Sequence, residues 1–106
     1  MIARTWRGRT RAKDAARYAK YVARTGIAQY RRTPGNRGAL LLYRIDGGAA
    51  EFLTLSLWDS LDDVRAFAGD DVTRAVFYPE DDAFLVGRDE HADHWAIAAG
   101  DLALSR

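Results

Sequence analysis

His94 is one of only two histidines in the chain, and imidazole is the side chain whose ordinary proton exchange falls near neutral pH. The run 91–98 reads as a strand with His94, Ala96 and Ala98 on one face. From there the ring could draw a proton from a phenol or an activated carbon. Such a step leaves an electron-rich carbanion that can react with oxygen unaided. Arg4 stands two residues before Trp6 on an N-terminal strand and shares its face. Its guanidinium could neutralise a developing enolate or bind a carboxylate. Trp6, Trp58, Tyr43 and Phe52 fall on one sheet face with the hydroxyls of Thr54 and Ser56. Together with Phe67 from the next helix they could line a slot for a planar ligand. Each residue also has a plainer role: His94 bonded across the sheet, Arg4 paired with an acid, and the aromatics as interface core.

Other chemistries are excluded by what the chain lacks. It has no cysteine, so thiolate metal sites, iron–sulfur clusters and cysteine nucleophiles are ruled out. No G-x-S-x-G motif supports serine hydrolysis. Glu80, Asp81, Asp82, Asp89, Glu90 and His91 carry metal-ligating atoms but show no EF-hand or H-E-x-x-H spacing. They read as a solvated acidic turn, with no metal expected. Pro34-Gly35-Asn36-Arg37-Gly38 and Asp46-Gly47-Gly48 lack the context of a phosphate loop and read as turns.

The 106 residues, 48% of them hydrophobic and 29% charged, suit one globular domain over 1–106. No run is apolar enough for a membrane span or a signal peptide. The expectation is a soluble, cytoplasmic protein. Residues 1–44 hold ten Arg and two Lys against Asp14 alone, while residues 45–106 hold four Arg against fourteen acids. Net charge is only +1. Halves that interleave in one fold would cancel each other's fields, and no nucleic-acid partner is expected.

The elements that must position these residues follow from periodicity. Met1–Arg7 alternates as a strand, with Ile2, Arg4 and Trp6 on one side. Thr10 suits an N-cap for a helix over Lys13–Thr25, whose stripe is Ala15, Tyr18, Ala19 and Val22, and Gly26 suits its end. Ala39–Ile45 and Ala50–Trp58 form a hairpin about Gly47-Gly48, pairing residues whose numbers sum to 95. That register sets Arg44 opposite Glu51. It puts Ala39, Leu41, Tyr43, Phe52, Thr54, Ser56 and Trp58 on one face, and Leu40, Leu42, Leu53, Leu55 and Leu57 on the other. Ser60 and Asp63 form a capping box for a helix with Leu61, Val64, Phe67 and Ala68 inward, ended by Gly69. Asp70 or Asp71 then caps a short second helix through Val76, and Tyr78–Asp82 turns into an extended piece at Ala83–Val86.

The order β-α-β-β-α-β predicts a ferredoxin-like α+β fold, an antiparallel sheet with helices on one face. The all-leucine face is expected beneath the helices. The mixed aromatic face is expected to remain bare and to pack on a second copy.

The run Leu55-Ser56-Leu57-Trp58-Asp59-Ser60, then Ala66-Phe67-Ala68-Gly69 and Tyr78-Pro79-Glu80-Asp81-Asp82, resembles the antibiotic biosynthesis monooxygenase-like family of dimeric α+β barrels. The order of elements agrees over nearly the whole chain. The resemblance implies homodimers joined through their sheet faces and a pocket between each sheet and its helices. Some members oxidise anthrone-type polyketides without metal or flavin, and others bind and degrade haem. In both groups the tryptophan matching Trp58 lies in or beside the pocket. Haem degraders also use an Asn on the first strand and a His on the second helix. Here the first-strand place falls at or near Trp6, and the second helix has no His. His94 matches no position of theirs.

The resulting expectation is a small-molecule-binding homodimer acting as a cofactor-independent monooxygenase on an aromatic or polyketide-like substrate. His94 would be the base and Arg4 the stabiliser, and Trp6, Trp58, Tyr43, Phe52, Thr54, Ser56 and Phe67 would contact the substrate. The alternative is a non-catalytic dimeric module that binds a metabolite or a protein. Haem binding is a third, weaker option.

Overall fold

The computed structural model describes residues 1–101; the last five residues of the expected domain lie outside them. Strand β1 (Ile2–Arg11) leads through a 3-10 turn into helix α1 (Ala15–Val22), a π-helical turn (Ala23–Ile27) and helix α2 (Ala28–Arg32). Strands β2 (Asn36–Asp46) and β3 (Ala49–Trp58) follow, then helix α3 (Leu61–Ala68), the one-turn helix α4 (Asp81–Phe84), β4 (Leu85–Arg88) and β5 (Asp93–Ala96). The sheet is antiparallel in the order β2-β3-β1-β4, and β5 also pairs with β1. This is the ferredoxin-like α+β arrangement expected from the sequence.

The hairpin register is the one the sequence predicts. Ala39 faces Ser56, Tyr43 faces Phe52, and Arg44 meets Glu51 in an ion pair of 2.6 Å. The coverage of its two faces is the reverse of the expectation. Phe52, Thr54, Ser56 and Trp58 are buried. They lie under Tyr18, Tyr21 and Val22 of α1, Tyr30 of α2, and Val64 and Phe67 of α3. The leucine face is the bare one, with Leu40, Leu42 and Trp95 exposed. Hydrophobicity alone ranks the leucine face as core. Polar pairing decides otherwise, because the mixed face satisfies its own polar atoms within the fold. Trp58 Nε1 donates to Ser56 Oγ at 2.9 Å, so tryptophan and hydroxyl are buried together without loss.

Several local expectations are corrected. Thr10 is no cap; it is buried within β1, which runs four residues further than read. Gly26 does not stop the first helix. It sits buried inside the π turn, where Thr25 Oγ1 donates to the Tyr21 carbonyl. The helical stretch ends only at Arg32, and Thr33 caps it through a 2.8 Å bond to the Gln29 carbonyl. The Ser60–Asp63 capping box forms as expected, with the Asp63 N–H donating to Ser60 Oγ at 3.3 Å. Leu61 is exposed rather than inward. Asp71 caps no helix; it accepts from the Thr73 N–H and hydroxyl, closing a turn. The extended piece expected at Ala83–Val86 and the strand expected over 91–98 form, with shifted and shorter bounds, as β4 and β5, and both pair with β1.

The basic and acidic halves interleave. Arg9 pairs with Asp46 and Glu51, Arg24 with Glu80, and Arg37 with Asp59. No helix among the described residues is long and apolar enough to cross a membrane.

Candidate functional site

Arg4 is only 2% exposed. Its place on β1 is fixed by two ladders, which set it opposite Ser56 of β3 and His94 of β5. The guanidinium donates from Nη1 to the Val72 carbonyl, from Nη1 to His94 Nε2 at 2.9 Å, and from Nη2 to the Arg74 carbonyl at 2.9 Å. The Phe67 ring lies 5.8 Å from it. No carboxylate pairs with it among the described residues. Burial lowers its pKa, against the raising influence of Tyr30. A buried cation among carbonyls, an imidazole, a phenol and a ring face, with no carboxylate beside it among the described residues, keeps an unspent attraction for negative charge.

His94 accepts from Arg4, so its ring is neutral with the proton on Nδ1. Burial and the charge of Arg4 both push its pKa down.

Between the sheet and the helices lies a cavity of about 40 Å³. Arg4, Trp6 and Thr54 line it from the sheet. Tyr18, Val22, Thr25, Gly26 and Tyr30 line it from the first helical stretch, and Phe67 from α3. Ala75, Val76, Tyr78 and Asp81 close it. The π turn supplies Thr25 and Gly26; such turns widen a helix locally and recur at functional sites. Gly26 lies in contact range of Tyr78, so even a methyl group there would project towards that ring. The volume admits about three water molecules and no aromatic ring.

Asp81 is 5% exposed. Its Oδ2 accepts from the Tyr78 N–H at 2.6 Å, and its Oδ1 lies 3.5 Å from the Tyr18 hydroxyl. Burial raises its pKa. Burial likewise raises the pKa of Tyr18, and that of Tyr78 to about 12. The cavity therefore brings together one cation, one acid and three phenols.

No protein-family model matches the chain, and no curated protein matches it in sequence. Solved structures do match. A Bacillus cereus protein assigned as an antibiotic biosynthesis monooxygenase superposes with a TM-score of 0.66 at 12% identity, over 96% of this chain and 97% of its own. A point variant of MhuD, solved with two manganese protoporphyrin IX molecules per active site, gives 0.67 at 16%, over 97% and 100%. Rv0793 from Mycobacterium tuberculosis gives 0.57 at 19%, over 97% and 98%. The chain shares the fold of these three proteins.

Within that fold the site residues expected from sequence divide. Arg4, Trp6, Thr54 and Phe67 meet at the cavity. Trp6 is anchored by its Nε1, which donates to the Asp89 carbonyl at 2.7 Å, and it meets Phe77 edge to face. Trp58, 0% exposed, packs against both Tyr30 and Phe67 as core. Ser56 serves that tryptophan, and Phe52 serves Tyr18. Tyr43 is 59% exposed and stacks on Phe52 outside the cavity. His94 lies behind Arg4, off the cavity wall. Sequence reasoning missed Tyr18, Tyr30, Tyr78 and Asp81. Tyr18 falls on the inward stripe but reads from sequence only as core. Asp81 reads as solvated like Glu80 and Asp82, which are exposed. The available signal was the Tyr-Pro-Glu-Asp turn, whose Asp can fold back onto the Tyr N–H.

Proposed function

We propose that this chain binds a small planar aromatic or polyketide-like molecule between its sheet and helices and oxygenates it without a cofactor. The observation that carries this reading is Arg4, a buried cation on the wall of an aromatic cavity that pairs with no carboxylate among the described residues. An enolate or phenolate oxygen at Arg4 would supply the missing charge. His94 contributes by holding the guanidinium in place. The residues from Asp70 to Glu80 are largely irregular and bring Ala75, Val76 and Tyr78 to the cavity. Their displacement admits the ligand, since about 40 Å³ is too small for a ring.

We also propose a homodimer through the bare sheet face. Met1, Ala3, Leu40, Leu55, Leu57 and Ile97 line an apolar groove of about 470 Å³ there, and nothing within the described residues covers Trp95, which is 58% exposed. A continuous apolar sheet face is the kind of surface that a two-fold partner buries.

The test is a thermal-shift series with dithranol, 1,8-dihydroxyanthraquinone, simple aromatic acids and haemin, followed by oxygen uptake. A ligand at a hundredfold excess over its Kd adds about 2.7 kcal/mol, several degrees for a domain of this size. The expected result is a shift with dithranol and the quinone, and oxygen consumption with dithranol. A flat response to both would overturn the reading. A shift without oxygen uptake would favour the non-catalytic binding module.

A further inference from the structure

We propose that Asp81 is the proton acceptor of this cavity and that the substrate is a carbon or oxygen acid whose conjugate base places its charge on an oxygen at Arg4. The proposal rests on the ligand-binding reading above. Among the residues lining the cavity Asp81 is the one carboxylate, and no cation pairs with it among the described residues. Arg88, the nearest basic influence, is bonded instead to Asp82 and Glu90. The Tyr78 N–H holds Oδ2 at 2.6 Å and so fixes the carboxylate plane. Oδ1 has only the long 3.5 Å approach of the Tyr18 hydroxyl, so a lone pair is free for a substrate proton. Arg4 and Asp81 wall the same space without forming an ion pair. A molecule between them meets a base and a cation at once.

The step balances within the site. The substrate C–H or O–H bond breaks and the proton passes to Oδ1. The electron pair stays on the substrate and delocalises to the oxygen at Arg4. No oxidant takes part in this step, and reversal returns the proton. His94 is poorly placed for it, because Nε2 accepts from Arg4 and the ring is off the wall. The groups facing Asp81 are Tyr18 from α1, Tyr78 from the preceding turn, Arg88 from β4 and Asp82 from its own helix. Their balance with burial leaves the carboxyl a stronger proton acceptor than an ordinary aspartate.

The experiment follows exchange of the C10 protons of dithranol for deuterium by NMR, without oxygen, while quenching of tryptophan fluorescence reports binding of 1,8-dihydroxyanthraquinone. Wild type should accelerate exchange. Asp81→Asn keeps the shape and should bind the quinone normally while losing about 10²-fold or more of the acceleration, the scale of general base catalysis. Tyr18→Phe should retain exchange but move the ascending limb of its pH profile upward, because the hydroxyl favours the carboxylate. A purely structural aspartate would leave that limb in place, so the readout serves even if Asp81→Asn does not fold. Acceleration preserved in Asp81→Asn, a fixed limb in Tyr18→Phe, or quinone binding by wild type without accelerated exchange would each overturn the proposal while leaving the binding site standing. Absence of quinone binding by wild type would overturn the ligand-binding reading, and this proposal with it.

Discussion

Arg4 and His94 are direct partners across the β1–β5 ladder, and the guanidinium donates to His94 Nε2 at 2.9 Å. A protonated imidazole cannot accept that bond, and it would set a second positive charge beside the first. Burial of the ring and this neighbouring charge together hold the His94 pKa below its unfolded value in the folded state. Below the unfolded value the unfolded chain binds more protons than the native one, so stability rises with pH there.

The first prediction concerns that linkage. Melting temperature should fall as pH drops from about 7 through the histidine range, reaching its full loss below the folded pKa. His94→Gln retains an acceptor for Arg4 but cannot titrate, and it should flatten this part of the profile. Differential scanning calorimetry of both proteins between neutral and mildly acid pH checks it. An unchanged profile in His94→Gln would be the contrary result.

Gly26→Ala separates stability from binding. Glycine within a helix costs roughly 0.5–1 kcal/mol relative to alanine, and the added Cβ would lie 3.7 Å from Tyr78 and 3.9 Å from Val22, ordinary contact. The variant should melt higher and yet show a smaller shift with 1,8-dihydroxyanthraquinone, because the methyl group occupies ligand space. Paired melting curves with and without the quinone decide it.

The two tryptophans should answer differently. Trp58→Ala opens the core beneath Tyr30 and Phe67 and should cost about 3–5 kcal/mol, read by urea denaturation. Trp6→Phe removes one bond to the Asp89 carbonyl at the cavity rim. It should cost only about 1 kcal/mol while weakening quinone binding.

Leu40→Glu places a charge on the bare sheet face, where the side chain is exposed in the single subunit. Its far-ultraviolet circular dichroism should match wild type, whereas light scattering should show monomer in place of dimer. Dimers that persist in Leu40→Glu would place the interface elsewhere.

The architecture was legible because strand periodicity and turn chemistry are local. Gly47-Gly48 fixes one register, and Ser60 with Asp63 starts one helix. Which sheet face the helices cover was not legible from hydrophobicity, because Trp58 and Ser56 solve each other's polar requirement only through a side-chain bond. Gly26 misled for a related reason. Glycine ends helices through left-handed geometry, but Gly26 has no positive φ and sits within the π turn, where the chain stays helical. At the site, Arg4 and Trp6 were found by alternation along one strand. Asp81 escaped because burial of a carboxylate depends on Tyr18 and Tyr78, which reach it from different parts of the chain.

Arg4 also fastens the wall that a ligand of the proposed kind would have to displace. Its nitrogens donate to the carbonyls of Val72 and Arg74, which flank the turn leading to Ala75 and Val76. An incoming oxygen that claims those donors releases the backbone they hold, so occupancy and opening form one exchange of partners. Affinity measured in solution is then the intrinsic affinity scaled by the fraction of molecules with the strap released. Substitutions in the strap, remote from any ligand atom, would tune binding through that fraction.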